Sequence, residues 1–125
     1  MQHKLVFFVD DDRIILHLLE YVFQSMEGYE YRSFTSGEEC LKNLYLNPDV
    51  VVLDHLFTMG GKNMMSGMET LKKILEVNKN IKVIMLTSQD NKDLVPEFIK
   101  NGAKKYIRKD SFFIDSLVEA IKELT

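Results

Sequence analysis

Residues 47–54 read Asn-Pro-Asp-Val-Val-Val-Leu-Asp, a short β-branched run that begins behind a proline and stops on an acid. An unbroken apolar run, rather than a polar–apolar alternation, fits a strand buried on both faces, as in parallel sheets. Pro48 lacks the N–H a helix needs and so closes the helical pattern before it. The strand is expected over Asp49 to Leu53, with Asp54 at its carboxyl end.

The same design recurs on either side. Leu5-Val6-Phe7-Phe8-Val9 runs into Asp10-Asp11-Asp12, Ile81 to Leu86 ends on Thr87-Ser88, and Tyr106-Ile107 leads to Lys109. With a further strand at Tyr29 to Phe34, the expected strands are Lys4 to Val9, Tyr29 to Phe34, Asp49 to Leu53, Lys82 to Leu86 and Lys105 to Arg108.

Helix-period segments separate them. The first carries two i,i+4 rows, Ile14-Leu18-Val22 and Ile15-Leu19-Phe23, which predict one apolar stripe, with Asp12 placed to cap it. The second starts at Ser36, has Glu39 at the capping-box spacing and is expected to bury Leu41 and Leu44. Ser66 and Glu69 repeat that spacing before a stripe of Met68, Leu71, Ile74 and Leu75. The fourth carries Val95, Phe98 and Ile99 and stops at Asn101-Gly102. Pro96 fits best in a first turn, so this helix is expected to start near Asp93 or to be distorted there. The fifth carries Ile114, Leu117, Val118, Ile121 and Leu124.

Strands alternating with helices of this length predict an α/β fold with a five-stranded parallel sheet and helices on both faces. Right-handed crossovers leave few topologies, of which the flavodoxin-like order 2-1-3-4-5 is the common one for five strands. One domain spanning 1–125 is expected, since 125 residues match the usual domain size.

Composition excludes several classes. The net charge is −3, with 46% hydrophobic and 28% charged residues, so no basic field invites nucleic acid. Cys40 is the only cysteine, which rules out an intrachain disulfide, and its helical setting favours a buried structural thiol. No apolar stretch approaches the roughly 20 residues of a membrane span, and no signal-peptide pattern opens the chain. The expected location is cytoplasmic, with no membrane partner.

In parallel sheets, sites form at the carboxyl ends of the strands. Asp10, Asp11, Asp54, Thr87 and Lys109 would meet there. Clustered carboxylates repel one another, and a divalent cation removes that cost. Mg²⁺ takes oxygen ligands and keeps several waters, so one or two carboxylates suffice. An aspartate can also attack phosphorus to form an acyl phosphate, whose oxygens then need a metal, a lysine and a hydroxyl around them.

The segments VFFVDDDRIIL, NPDVVVLD, IKVIMLTS and NGAKKYIRK, in this order and spacing, resemble the receiver domains of two-component response regulators over nearly the whole chain. That family shares the 2-1-3-4-5 order, so the resemblance supports the topology as well. It implies that Asp54 is the phosphoacceptor and Asp11 a direct Mg²⁺ (or Mn²⁺) ligand, with Asp10 acting largely through a metal-bound water. The backbone carbonyl of Leu56 would complete the ligands. Thr87 would bind the phosphoryl oxygens, Lys109 would pair with them, and Tyr106 would be the aromatic switch. The implied partners are a sensor histidine kinase or phosphotransfer protein, and a target protein or fused output domain at the helix 4–strand 5–helix 5 surface. No enzyme activity is expected beyond self-phosphorylation from small donors and self-dephosphorylation.

The chain departs from the family pattern twice. Thr58 stands where a proline is usual, and the matching Gly67 comes late, so the segment Thr58 to Met65 is about five residues longer than usual. Its Gly60-Gly61 pair and lack of proline predict a poorly restrained backbone. Asp110 replaces the proline that usually follows the lysine. A non-proline cis bond costs roughly 2.5–4 kcal/mol, so the loop after strand five is expected to differ.

Plainer readings compete. An acidic triplet before a helix is often only capping, and Tyr106 taken alone reads as core packing. His55 invites a ligand or phosphorelay role, but a side chain flanking a strand-end acid more often packs or faces solvent. Met59, Met64 and Met65 fit either an adaptable contact surface or gap-filling beneath the loop. As alternatives, a receiver-like scaffold that is never phosphorylated would more naturally have lost Asp54 or Lys109. An aspartate-nucleophile phosphohydrolase would carry a second aspartate where Leu56 stands. A flavodoxin would need a Ser/Thr/Gly-rich loop where three aspartates would repel phosphate.

Overall fold

The computed structural model describes residues 3–55, 66–87 and 94–125. Its strands are β1 (Lys4–Val9), β2 (Tyr29–Phe34), β3 (Val50–Asp54), β4 (Lys82–Thr87) and β5 (Lys105–Arg108). The helices are α1 (Arg13–Phe23), α2 (Gly37–Lys42), α3 (Gly67–Val77), α4 (Val95–Lys100) and α5 (Phe113–Leu124). All strand pairs are parallel, in the order β2-β1-β3-β4-β5. This is the predicted flavodoxin-like α/β arrangement, with β3 shifted one residue to end on Asp54 and β4 extended one residue onto Thr87.

Successive side chains of a strand face opposite ways, so the three central strands feed two cores. Phe7, Val9, Val51, Leu53, Val83 and Met85 pack toward α2, α3 and α4. Val6, Phe8, Val50, Val52, Ile84 and Leu86 pack toward α1 and α5. Burial on both faces explains why these strands read as continuous apolar runs.

The helix ends follow their sequence signals. Asp12 accepts from the Ile14 N–H at 2.9 Å, and the Ser36 and Ser66 hydroxyls accept from the N–H groups of Glu39 and Glu69. Pro96 falls in the first turn of α4, while Asp93 lies outside the described residues. Gly102 adopts φ 105° after α4, where the Gly102 and Ala103 N–H groups bond back to Ile99 and Phe98.

Three expectations are corrected. On α1 the buried residues are Leu16, Leu19 and Phe23, whereas Ile14 and Leu18 are 72% and 46% exposed. The sheet contacts only an arc of the helix, so two adjacent rows cannot both be covered, and the true stripe is rotated away from Ile14 and Leu18. Leu44 is buried from a separate 3-10 turn, Leu44–Leu46, because α2 ends at Lys42. Tyr106 is not core: it is 43% exposed on the edge strand β5.

Candidate functional site

The carboxyl ends of β1, β3 and β4 bring acids and a hydroxyl to one edge of the sheet. Asp10 directly follows β1, Asp54 closes β3 and Thr87 closes β4, and all three are buried. Parallel strands in register place their ends side by side, with Val9 opposite Leu53 and Asp54 opposite Leu86. Lys109 follows β5, and its backbone N–H donates to the Thr87 carbonyl at 2.8 Å, which carries the β4–β5 pairing into the site.

Lys109 is the charge that holds the acids together. Its Nζ lies 2.8 Å from Asp54 Oδ1 and 2.9 Å from Asp10 Oδ2. The other Asp10 oxygen accepts from the Asp12 N–H at 2.9 Å, so both oxygens of this buried carboxylate are engaged. Carboxylate oxygens of Asp10, Asp11 and Asp54 lie within 4.8 Å of one another.

The electrostatics are strained in one direction. Burial, reinforced by the charge of Asp10, pushes the Asp54 carboxyl up to about 6 despite Lys109. Burial likewise raises Asp10. For Lys109 burial works the other way, but its bonds and charge pairing with Asp54 and Asp10 outweigh it, and the ammonium is held above its ordinary range. Among the described residues, the three carboxylates of Asp10, Asp11 and Asp54 form a close set of oxygen donors around the Lys109 ammonium. That donor set suits a hard divalent ion such as Mg²⁺.

The sequence-predicted residues are distributed as follows. Asp10, Asp11, Asp54, Thr87 and Lys109 gather at the edge, while Asp12 turns away to cap α1. Leu56, Ser88 and the segment Thr58 to Met65 lie outside the described residues. Tyr106 lies opposite Met85 across the β4–β5 pair and lines an open groove of about 450 Å³ with Ile99, Lys104, Lys105 and Glu119. The Lys109–Asp110 bond is trans, and Asp110 Oδ1 accepts from the Phe112 N–H at 2.9 Å, so this loop closes as an Asx turn.

Two features of the edge, noted in the sequence only in outline, take their detail from the structure. Gly67 is packed onto the end of β3: a Cβ there would lie 2.5 Å from the Asp54 carbonyl oxygen and 2.7 Å from the His55 Cα. The usable signal was a glycine directly behind the helix-capping Ser66. His55 neither faces the acids as a bonded partner nor floats in solvent; it is half-buried, with its ring edge-to-face on Phe98. Burial and, secondarily, the Lys109 charge lower its pKa, which favours a neutral ring.

The family model for the response regulator receiver domain matches residues 6–122. The chain belongs to that family. This receiver domain is 32% identical to "Chemotaxis protein CheY" of Thermotoga maritima, covering 98% of each chain. It is also 32% identical to "Sporulation initiation phosphotransferase F" of Bacillus subtilis, covering 98% of this chain and 94% of the relative. Among solved structures, a putative response regulator from Chloroflexus aurantiacus superposes with a TM-score of 0.83 at 30% identity over 98% of both chains. The BeF3-activated DrrB receiver domain matches with a TM-score of 0.83 at 27% identity, over 98% of this chain and 97% of that one. Receiver domains are signalling modules rather than classical enzymes, and the family typically binds Mg²⁺ at an acidic pocket. The Asp10-Asp11-Asp54 cluster has the donors such a pocket requires.

Proposed function

We propose that this receiver domain, one unit over the full chain, is a phosphoacceptor switch that takes a phosphoryl group on Asp54 in a Mg²⁺-dependent reaction. The observation that carries the reading is the buried Asp54 carboxylate paired to Lys109 at 2.8 Å beside two further acids. In the step, an Asp54 carboxylate oxygen attacks phosphorus. The bond from phosphorus to the donor breaks, whether to the imidazole nitrogen of a phosphohistidine or to the acyl oxygen of acetyl phosphate. The electron pair leaves with the donor, and an acyl phosphate forms on Asp54.

Lys109 Nζ, which pairs with Asp54, holds the phosphoryl oxygens in this reading, and Thr87 supplies the neighbouring hydroxyl. Asp11 and Asp54, with the Leu56 carbonyl, are the proposed direct ligands. Asp10 acts through water, which agrees with both its oxygens being already engaged. A bound Mg²⁺ would neutralise charge developing on the transferred group.

The donor is a cytoplasmic sensor histidine kinase or phosphotransfer protein. It must approach the carboxyl edge, beside which α1 and α5 begin with the exposed side chains Ile14 and Phe112, while exposed Leu18 lies one turn further along α1. The signal leaves through α4, β5 and α5: the acyl phosphate draws Thr87 inward, Tyr106 takes up the vacated space, and a target protein or fused output domain reads the change. Lys100, Lys104 and Lys105 form the polar rim of that surface.

Incubation with acetyl phosphate and Mg²⁺ should add one phosphoryl mass, located on Asp54 by peptide mapping. Labelling that persists in Asp54→Asn, or that is equal in excess chelator, overturns the proposal.

A further inference from the structure

His55 is the point where the end of β3 meets three other elements. Its backbone N–H donates to the Leu86 carbonyl of β4 at 3.0 Å, and its carbonyl accepts from the Gly67 N–H of α3 at 3.3 Å. Its ring lies 5.3 Å from the ring of Phe98, at an interplanar angle of 62°. Phe98 belongs to α4 and is fully buried. The peptide joining Asp54 to His55 is further confined by Gly67, whose missing side chain leaves its backbone pressed against both residues. The backbone at residue 55 is therefore held from two sides, and its side chain reaches a third element.

We propose that His55 is a positioning residue that ties the Asp54 carboxylate to helix α4 through its ring contact with Phe98. A shift of α4 moves Phe98, and an edge-to-face pair in a close-packed core transmits that shift instead of absorbing it. The His55 backbone cannot slide independently, because Leu86 and Gly67 clamp it. Displacement of the ring is thus passed to the adjoining peptide and to the Asp54 side chain one residue away. The coupling must act both ways: a phosphoryl group that reorients Asp54 biases α4, and a ligand on α4 alters the reactivity of Asp54. This deepens the phosphoacceptor reading and rests on it.

The test is a double-mutant cycle on the full chain, run well below each variant's melting temperature. His55→Leu and Phe98→Leu should each slow labelling by acetyl phosphate about three- to tenfold, the range expected for losing one ring pair. The double variant should be no slower than the slower single one. His55→Phe, which keeps a ring, should restore the rate to within about twofold of wild type. Amide exchange adds a readout that a merely structural role would leave unchanged. Beryllofluoride with Mg²⁺ should change protection across Val95–Lys100 in the wild type and in His55→Phe, but not in His55→Leu. Multiplicative rate effects, a wild-type labelling rate in His55→Leu, or an α4 response that persists in His55→Leu would each overturn the proposal. Failure of the underlying reading is distinct: the wild-type protein itself would then not label on Asp54.

Discussion

Asp54 and Asp10 are carboxylates kept out of water with Lys109 between them, and that arrangement has a pH signature. In metal-free protein the folded-state pKa of Asp54, at about 6, lies above its ordinary value of 3.8. The folded state therefore holds the proton more tightly across that window, and the stability gained there is lost as pH rises through about 6. Chemical denaturation in chelator should show the wild type losing stability between pH 4 and pH 7. Asp54→Asn should show a flatter dependence and a higher stability at pH 7; parallel curves would contradict the assignment. Lys109→Met removes a cation bonded to both acids and should cost roughly 1–3 kcal/mol at pH 7, read from denaturant midpoints. The residue types at this edge were legible from strand-end positions alone. The approach of Gly67 and the choice of Phe98 as ring partner of His55 were not, because each depends on a neighbour that arrives from a distant part of the chain.

At the scale of elements, α1 separates structure from recognition most clearly. Leu19→Ala should cost about 2–5 kcal/mol, since the residue is 1% exposed in the α1–α5 core. Ile14→Ser and Leu18→Ser should change stability by no more than about 0.5 kcal/mol, because both side chains face solvent. Acetyl phosphate labelling should be unaffected in these two variants, while transfer from a protein donor slows; equal transfer rates would show that this face takes no part in docking. Gly67→Ala should destabilise by about 1–3 kcal/mol, because the atoms it would strike are backbone and cannot swing aside. The Gly67 to His55 hydrogen bond also joins the two ends of the segment between them. Excising about five residues from Thr58 to Met65 should accordingly leave the fold intact and alter phosphoryl lifetime or partner choice. Helix caps and the Gly102 stop were readable because they are local hydrogen-bond chemistry. Which of two apolar rows α1 buries was not, because both have helical period and only the position of the sheet selects between them.

For the whole molecule, the proposed output is a change confined to one side. Comparing free and beryllofluoride-bound protein by amide exchange should show protection changes over α4, β5 and α5, together with movement of Tyr106. Changes restricted to the α1 and α2 side would refute the switching route and leave phosphorylation of Asp54 standing. By itself the sequence determined the element order, the parallel sheet, its strand order through family resemblance, and the set of acids, hydroxyl and ammonium at one edge. These follow from period, punctuation and strand-end chemistry, all of which act within a few residues. Tertiary structure alone decided that Lys109 bridges Asp10 and Asp54 and that Tyr106 stands exposed beside a groove. The physical reason is distance along the chain: Lys109 and Asp10 are 99 residues apart in sequence, and only the closing of the sheet sets what lies between them.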